Sequence, residues 1–153
     1  MKLLLDTTYF FPAIGISIRG LPRDAYVKLV ELGHLIAISD ITFFELAAKG
    51  AKYVAAGALE ADRVSRGVKA IVYDERVSKI PIYDSAILRT AFKLRSSLSD
   101  FIDCLILSSA VNQSEALITE DADILELGRR REFQELIQAV NPKFTVQTLK
   151  DIL

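Results

Sequence analysis

Four acidic residues stand where the chain pattern makes a carboxylate useful: Asp6, Glu45, Asp103 and Asp121, with Asp123 as a substitute for the last. Asp6 ends the run Leu3-Leu-Leu5, and Asp121 follows Ala116-Leu-Ile-Thr119. Glu45 lies beyond His34–Ser39, and Asp103 opens the segment leading to Ala116. Several ionised carboxylates in one crevice repel and raise one another's pKa values unless a cation intervenes. His34 is the only histidine and Cys104 the only cysteine. A set of oxygen-only ligands favours Mg²⁺ or Mn²⁺ over zinc.

Each acid also has a purely structural explanation. Glu45 lies three residues after Thr42 and completes a capping box if a helix starts there. Asp121 suits an N-cap between a strand and a helix, and Asp123 the first turn of that helix. Asp6 is placed to accept the amides of Thr7 and Thr8 in its own turn. Asp103 is harder to explain so. Asp100-Phe-Ile-Asp-Cys-Leu-Ile-Leu-Ser-Ser-Ala-Val111 is apolar nearly all round, as in a buried helix, and holds no Lys or Arg. A buried carboxylate needs a compensating partner. Capping by Asp100, with Asp103 receiving first-turn amides, is the remaining structural explanation.

The elements that must position these acids alternate. Leu3–Leu5 is a continuous apolar run, the pattern of a central strand covered on both faces. Thr7 to Gly20 reads as irregular, Arg23 to Leu32 as a short helix ending at Gly33, and His34–Ser39 as a second strand. Asp40 to Ala48 reads as a helix stopped at Gly50. Ala51 to Val77 has apolar residues at helical spacing, interrupted by Gly57 and Gly67, which leaves one kinked helix or a helical hairpin. Lys79–Tyr83 is a strand suited to a sheet edge because of Pro81. Helices follow from Asp84 to Ser97 and Asp100 to Val111, and then a strand over Ala116–Thr119. Helices over Asp121–Leu127 and Glu132–Val140 precede a fifth strand, Phe144–Gln147. The alternation implies a parallel sheet with helices on both faces and right-handed crossovers. If the first and fourth strands are neighbours at the topological switch point, Asp6 and Asp121 face one crevice.

Composition narrows the classes. With 153 residues, 51% hydrophobic and 25% charged, the chain is expected to form one ordinary globular domain. A net charge of −1 gives no global attraction to nucleic acid, so any such contact depends on local patches. The lone cysteine excludes an internal disulfide and a cysteine-based zinc site, and fits a reducing compartment. Asp6 breaks the amino-terminal apolar run, which argues against an export signal. No apolar stretch approaches the ~20 residues that span a bilayer. A cytoplasmic protein without membrane attachment is expected.

The sequence resembles PIN-domain proteins of the VapC toxin type along almost the whole chain. The resemblance is carried by Leu4-Leu-Asp-Thr-Thr8, by Ile38-Ser-Asp-Ile-Thr-Phe-Phe-Glu-Leu46, by Ile102-Asp-Cys-Leu-Ile106 before Ala110, and by Leu117-Ile-Thr-Glu-Asp-Ala-Asp-Ile124. Each string is weak, and their order and spacing together are specific. The resemblance implies a three-layer α/β/α fold, a five-stranded parallel sheet ordered 3-2-1-4-5, and a metal-dependent ribonuclease. It carries Asp6, Glu45, Asp103 and Asp121 over as the acidic site, with Thr119 holding the fourth-acid loop by hydrogen bonds. Ile124 departs from the family's phenylalanine but stays apolar. The Ala51–Val77 segment is long for the family. A homodimer and a small antitoxin partner that blocks the site are also implied.

On this reading Mg²⁺ or Mn²⁺, one ion or two, lowers the pKa of an attacking water and stabilises charge on the phosphate oxygens. Asp6 and Asp103 are the first expected ligands, Asp121 completes the site or holds a second ion, and Glu45 binds a second metal or orients the water. For the RNA substrate, Arg129, Arg130 and Arg131 are the first expected contacts and Lys49 and Lys52 the next, though each also fits a solvated surface charge. Tyr9 and Phe10 are candidates for base stacking, with Phe10 better suited to a core. His34 and Cys104 read as structural. Two other classes compete. One is an inactive PIN-like module that binds RNA or protein. The other is an acid-lined phosphotransfer domain, against which Asp6-Thr7-Thr8 lacks a second aspartate two positions on.

Overall fold

The computed structural model describes residues 1–153. Leu3, Leu4 and Leu5 are completely buried in β1 (Lys2–Leu5). Successive side chains in a strand point to opposite faces, and this one strand serves two cores. Leu4 packs with Ala37 and Leu117 on one face of the sheet. Leu3 and Leu5 pack with Ile36, Ile38, Ala116 and Ile118 on the other. β1 therefore lies at the centre of a five-stranded sheet, flanked by β2 (Leu35–Ser39) and β4 (Ala116–Ile118). β3 (Val77–Ile80) and β5 (Thr145–Gln147) form the edges, and every pair is parallel. The order β3-β2-β1-β4-β5 puts the switch point between β1 and β4, as the resemblance implies. Pro81 directly follows the edge strand β3, where a missing N–H breaks no ladder.

Helices cover both faces and make three layers. On the Leu4 face lie α4 (Ser85–Leu94), α5 (Phe101–Gln113), α6 (Ala122–Gly128) and α7 (Arg131–Val140). The opposite face carries a 3₁₀ segment over Thr7–Ile14, then α1 (Ala25–Glu31), α2 (Ile41–Ala55) and α3 (Ala61–Val72). A short carboxyl-terminal helix, α8 (Leu149–Ile152), packs Leu149 into that second core. Residues Cys104 through Val111 of α5 are all buried, which is why that stretch is apolar all round.

Two differences from the sequence expectation have a steric cause. Gly50 does not end α2, which continues to Ala55. A Cβ at Gly50 would sit 2.5 Å from the Val64 side chain, so glycine there lets α3 lie against α2. A Cβ at Gly67 would meet the Ala13 carbonyl oxygen at 2.1 Å. That glycine seats α3 on the 3₁₀ segment, in a stretch expected to be irregular. No helix is long and apolar enough to cross a membrane.

Candidate active site

The acids meet above the carboxyl ends of β1 and β4, and two of them form a hydrogen-bonded floor. Asp6 leaves β1 and caps the 3₁₀ segment, its Oδ1 accepting the Thr7 amide at 2.8 Å. Its Oδ2 accepts the Thr119 hydroxyl at 2.6 Å. Thr119 follows β4, and its Oγ1 in turn accepts the Asp121 amide at 3.0 Å. One hydroxyl thus ties the two strand ends together. Glu45, from α2, is reached by the Thr7 hydroxyl. Because that donation uses Thr7's only hydroxyl proton, the 3.0 Å contact between Thr7 and Thr42 must have Thr42 as donor. The capping-box reading of Thr42 and Glu45 fails because α2 begins at Ile41, which puts Thr42 inside the helix. Asp40 is the N-cap residue of α2, and Glu45 is turned toward Thr7.

Asp103 forms the wall. Asp100 caps α5, its Oδ1 accepting the Ile102 amide at 2.9 Å, as expected of a cap. One turn on, the half-buried Asp103 carboxylate accepts no first-turn amide, the Ile102 amide being taken by Asp100. Burial first, then the charges of Asp100, Asp121, Asp6 and Glu45, push its pKa up to about 7. The Asp6 pKa is raised, chiefly by burial, against the lowering effect of Thr119 and Thr7 and with further upward pushes from Asp121 and Asp100. Glu45 is raised for the same leading reason, opposed by the Thr7 hydroxyl and assisted by Asp6 and Asp100. These couplings place Asp6, Glu45, Asp100, Asp103 and Asp121 in one electrostatic neighbourhood.

Asp121 keeps its structural role as well, since its Oδ1 caps α6 through the Ile124 amide at 3.0 Å. It pushes on both Asp6 and Asp103, whereas Asp123 is not among the leading charges on either. The neighbouring Glu120 accepts the Tyr9 hydroxyl, and also the Leu149 amide at 3.0 Å, which pins this loop to α8. No three acidic side chains converge to metal-ligating distance as they stand.

Two hollows flank the acids. A cleft of about 660 Å³ is lined by Asp100, Asp103, Asp121 and Asp123 together with Arg95 and Arg130; Leu98 is its only apolar residue. A second hollow, about 360 Å³, lies on the Glu45 side with Lys49, Lys52, Phe11, Phe44 and Ile102. Of the three arginines expected to meet substrate, Arg130 alone lines the cleft, and Arg131 pairs with Glu135 at 3.2 Å. Tyr9 and Phe10 are 2% and 0% exposed, so neither is available to stack a base. His34 contacts the amino terminus, at the far end of the sheet, and Cys104 is buried core. Sequence reasoning missed Arg95, whose only signal was the polar run Ser96-Ser-Leu-Ser99 beside it.

Fold and cleft together define an open parallel α/β protein with an acid-lined crevice at its switch point. The PIN-domain family model matches residues 3–130, and the chain belongs to the PIN-domain family. Among solved structures it is similar to VapBC2 from Rickettsia felis bound to a promoter DNA fragment, at TM-score 0.59 and 21% identity, covering 97% of this chain and 98% of that one. It is similar to DNA-bound VapBC from Salmonella typhimurium, at TM-score 0.56 and 18% identity, covering 97% and 98%. A toxin–antitoxin complex from Klebsiella pneumoniae matches at TM-score 0.53 and 24% identity, covering 78% and 86%. No curated protein matches the chain.

Proposed function

We propose that this protein is a metal-dependent endoribonuclease that hydrolyses RNA phosphodiester bonds, and that it is the toxin of a VapBC-type pair. The observation that carries the reading is Asp103, a half-buried carboxylate at the cleft wall that is paired with no cation and has four other acids as its leading charges. Such a group costs stability unless something cationic completes it. An oxygen-only cluster fits Mg²⁺ or Mn²⁺, with Asp6, Asp103 and Asp121 as ligands and Glu45 as a further ligand or the residue that orients the attacking water. The bound ion supplies the acidity of that water and the charge to stabilise the phosphate oxygens. The threonine hydroxyls fix Asp6 and Glu45 in direction, so the floor of the site is set before metal or substrate arrives.

The toxin assignment and the antitoxin partner rest on analogy with the VapBC and toxin–antitoxin complexes of the same fold; blocking of the site, the homodimer and a cytoplasmic location rest on the sequence resemblance. The test is cleavage of fluorescent RNA in Mn²⁺, Mg²⁺ or EDTA, comparing wild type with Asp103→Asn, alongside calorimetric Mn²⁺ binding. Cleavage and Mn²⁺ binding that both vanish in folded Asp103→Asn are the expected result. Cleavage unaffected by EDTA would overturn the mechanism. Folded wild type that cuts neither structured nor unstructured RNA would favour a binding module. A small protein co-purifying from the native host is expected for the antitoxin, and its repeated absence would remove that assignment.

A further inference from the structure

The cleft beside the acids is of mixed charge. Asp100, Asp103, Asp121, Asp123 and Glu126 line it together with Arg95, Arg130 and the loop Ser96-Ser-Leu-Ser99. Ser96, Ser97 and Arg130 also line a neighbouring hollow of about 370 Å³ that reaches Lys93. Hydroxyl and guanidinium donors are thus shared between the two hollows, on the loop joining α4 to α5 and at the junction of α6 with α7. No aromatic ring lines the 660 Å³ cleft, so it offers bases nothing to stack on. The opposite hollow, beside Glu45, has Phe11 and the 62% exposed Phe44.

We infer that the Arg95–Arg130 groove holds the RNA backbone on one side of the scissile bond, the two guanidiniums gripping a phosphate adjacent to the one at the acids. The inference rests on the ribonuclease reading above and adds to it a subsite. A guanidinium presents a planar fork of donors that matches phosphate oxygens. Arg95 is already oriented, its Nη1 donating to the Leu98 carbonyl at 3.1 Å while its other nitrogens have no protein acceptor. Arg130 is held in reserve by Glu126, at 3.1 Å in an exposed pair that a phosphate displaces readily. Backbone contacts of this kind position the strand without reading its sequence.

The groove is tested with the full chain in Mn²⁺ and a labelled, unstructured 12-nucleotide RNA under single-turnover conditions. The half-saturating protein concentration is followed against salt. Arg130→Gln should raise that concentration about tenfold, the size expected of one lost charged hydrogen bond, with a maximal rate little changed. Its log–log salt slope should fall by about 0.7 for the phosphate released. Glu126→Gln frees Arg130 and should tighten binding. Arg131→Gln removes the same charge outside the cleft and should leave both quantities near wild type. Calorimetric Mn²⁺ binding should be the same in all three variants. Equal effects of Arg130→Gln and Arg131→Gln, or an unchanged salt slope in Arg130→Gln, would overturn the groove while leaving the ribonuclease intact. Wild type that neither binds nor cuts RNA would overturn both. Arg95→Gln risks loosening the loop through Leu98, so the Arg130 and Glu126 variants decide the matter.

Discussion

The floor and the wall of the crevice solve the same electrostatic problem in opposite ways. Asp6 and Glu45 each accept a threonine hydroxyl, and Asp6 a backbone amide besides. Asp103 accepts no such hydrogen bond, and the leading charges on it are those of other acids. The difference follows from where each acid sits in the chain. Asp6 and Asp121 lie just beyond strand ends, where the backbone turns and leaves amides free to be capped. Asp103 lies inside the first turn of α5, where Asp100 has already taken the capping position. A hydrogen-bonded carboxylate serves folding and chemistry together. An unpartnered one serves chemistry at the expense of folding, which is the usual exchange at functional sites.

The sharpest way to break that contrast is Asp103→Asn. On the proposed mechanism it should lower RNA cleavage at least about 10²-fold, the scale of losing one group aimed at developing charge. In the metal-free protein at pH 8 it should also raise the melting temperature, by about 2–4 °C for each kcal/mol of repulsion relieved. Asp6→Asn should lose comparable activity with a smaller gain, or none, because the amide cannot serve both Thr7 and Thr119 as acceptor. Equal gains from the two substitutions would erase the distinction between floor and wall.

A second consequence is the pH dependence of stability. In the unfolded chain an aspartate titrates near ~3.9, whereas Asp103 in the fold is held at about 7. Between these values the native state binds more protons than the unfolded one, so stability falls as pH rises. The stabilising contribution of the neutral carboxyl is fully present below the unfolded value and lost through pH 7. Metal-free wild type should therefore lose melting temperature from pH 4 to pH 8 relative to Asp103→Asn. The two curves should converge at the acid end, and Mn²⁺ should restore wild type above neutrality. Parallel curves in differential scanning fluorimetry would show that Asp103 is not repelled.

Much of this was legible in the sequence because burial leaves a compositional record. Leu3-Leu-Leu announced a strand covered on both faces, and the apolar run around Asp103 announced a buried helix with a misplaced charge. The strand order came from the resemblance and not from any local pattern. What stayed hidden depends on contacts between distant segments. Thr42 and Glu45 have the spacing of a capping box, and only the approach of Thr7 across the crevice shows where Glu45 turns. Gly50 looked like a helix terminator because its reason for being small is Val64 in another helix. Arg95 sits in a loop whose cleft exists only once α4, α5 and α6 are assembled. Asp100 was readable as a cap, but its charge on Asp103 is a property of the assembled site.

On the floor, Thr119→Val tests the hydroxyl that joins the two strand ends. It strands the Asp121 amide and removes a donor from buried Asp6, at a cost of about 1–3 kcal/mol. Asp6 should then titrate still higher, so Mn²⁺ affinity and cleavage near neutrality should fall roughly 10-fold, in the range seen when support around a metal ligand is lost. Thr119→Ser keeps the hydroxyl and should restore most of both. Failure of serine to rescue would assign the threonine's importance to its methyl group and core packing.

The smallest expected effect decides between Asp121 and Asp123. Both line the cleft, but of the two only Asp121 is among the leading charges on Asp6 and Asp103, and it also caps α6. These two duties can be separated. Serine is nearly as good an N-cap as aspartate, so Asp121→Ser should retain the melting temperature while losing cleavage and Mn²⁺ affinity. Asp123→Asn leaves the cap, the threonine bridge and the leading charges on Asp103 in place. Its effect on cleavage should stay near the level of an ordinary surface substitution, within about 0.5 kcal/mol or roughly twofold. If Asp123→Asn instead abolished Mn²⁺ binding while Asp121→Ser retained it, the fourth acid would be Asp123. The first turn of α6 would then have to rotate on loading, since the leading charges on Asp103 come from Asp100, Asp121, Asp6 and Glu45.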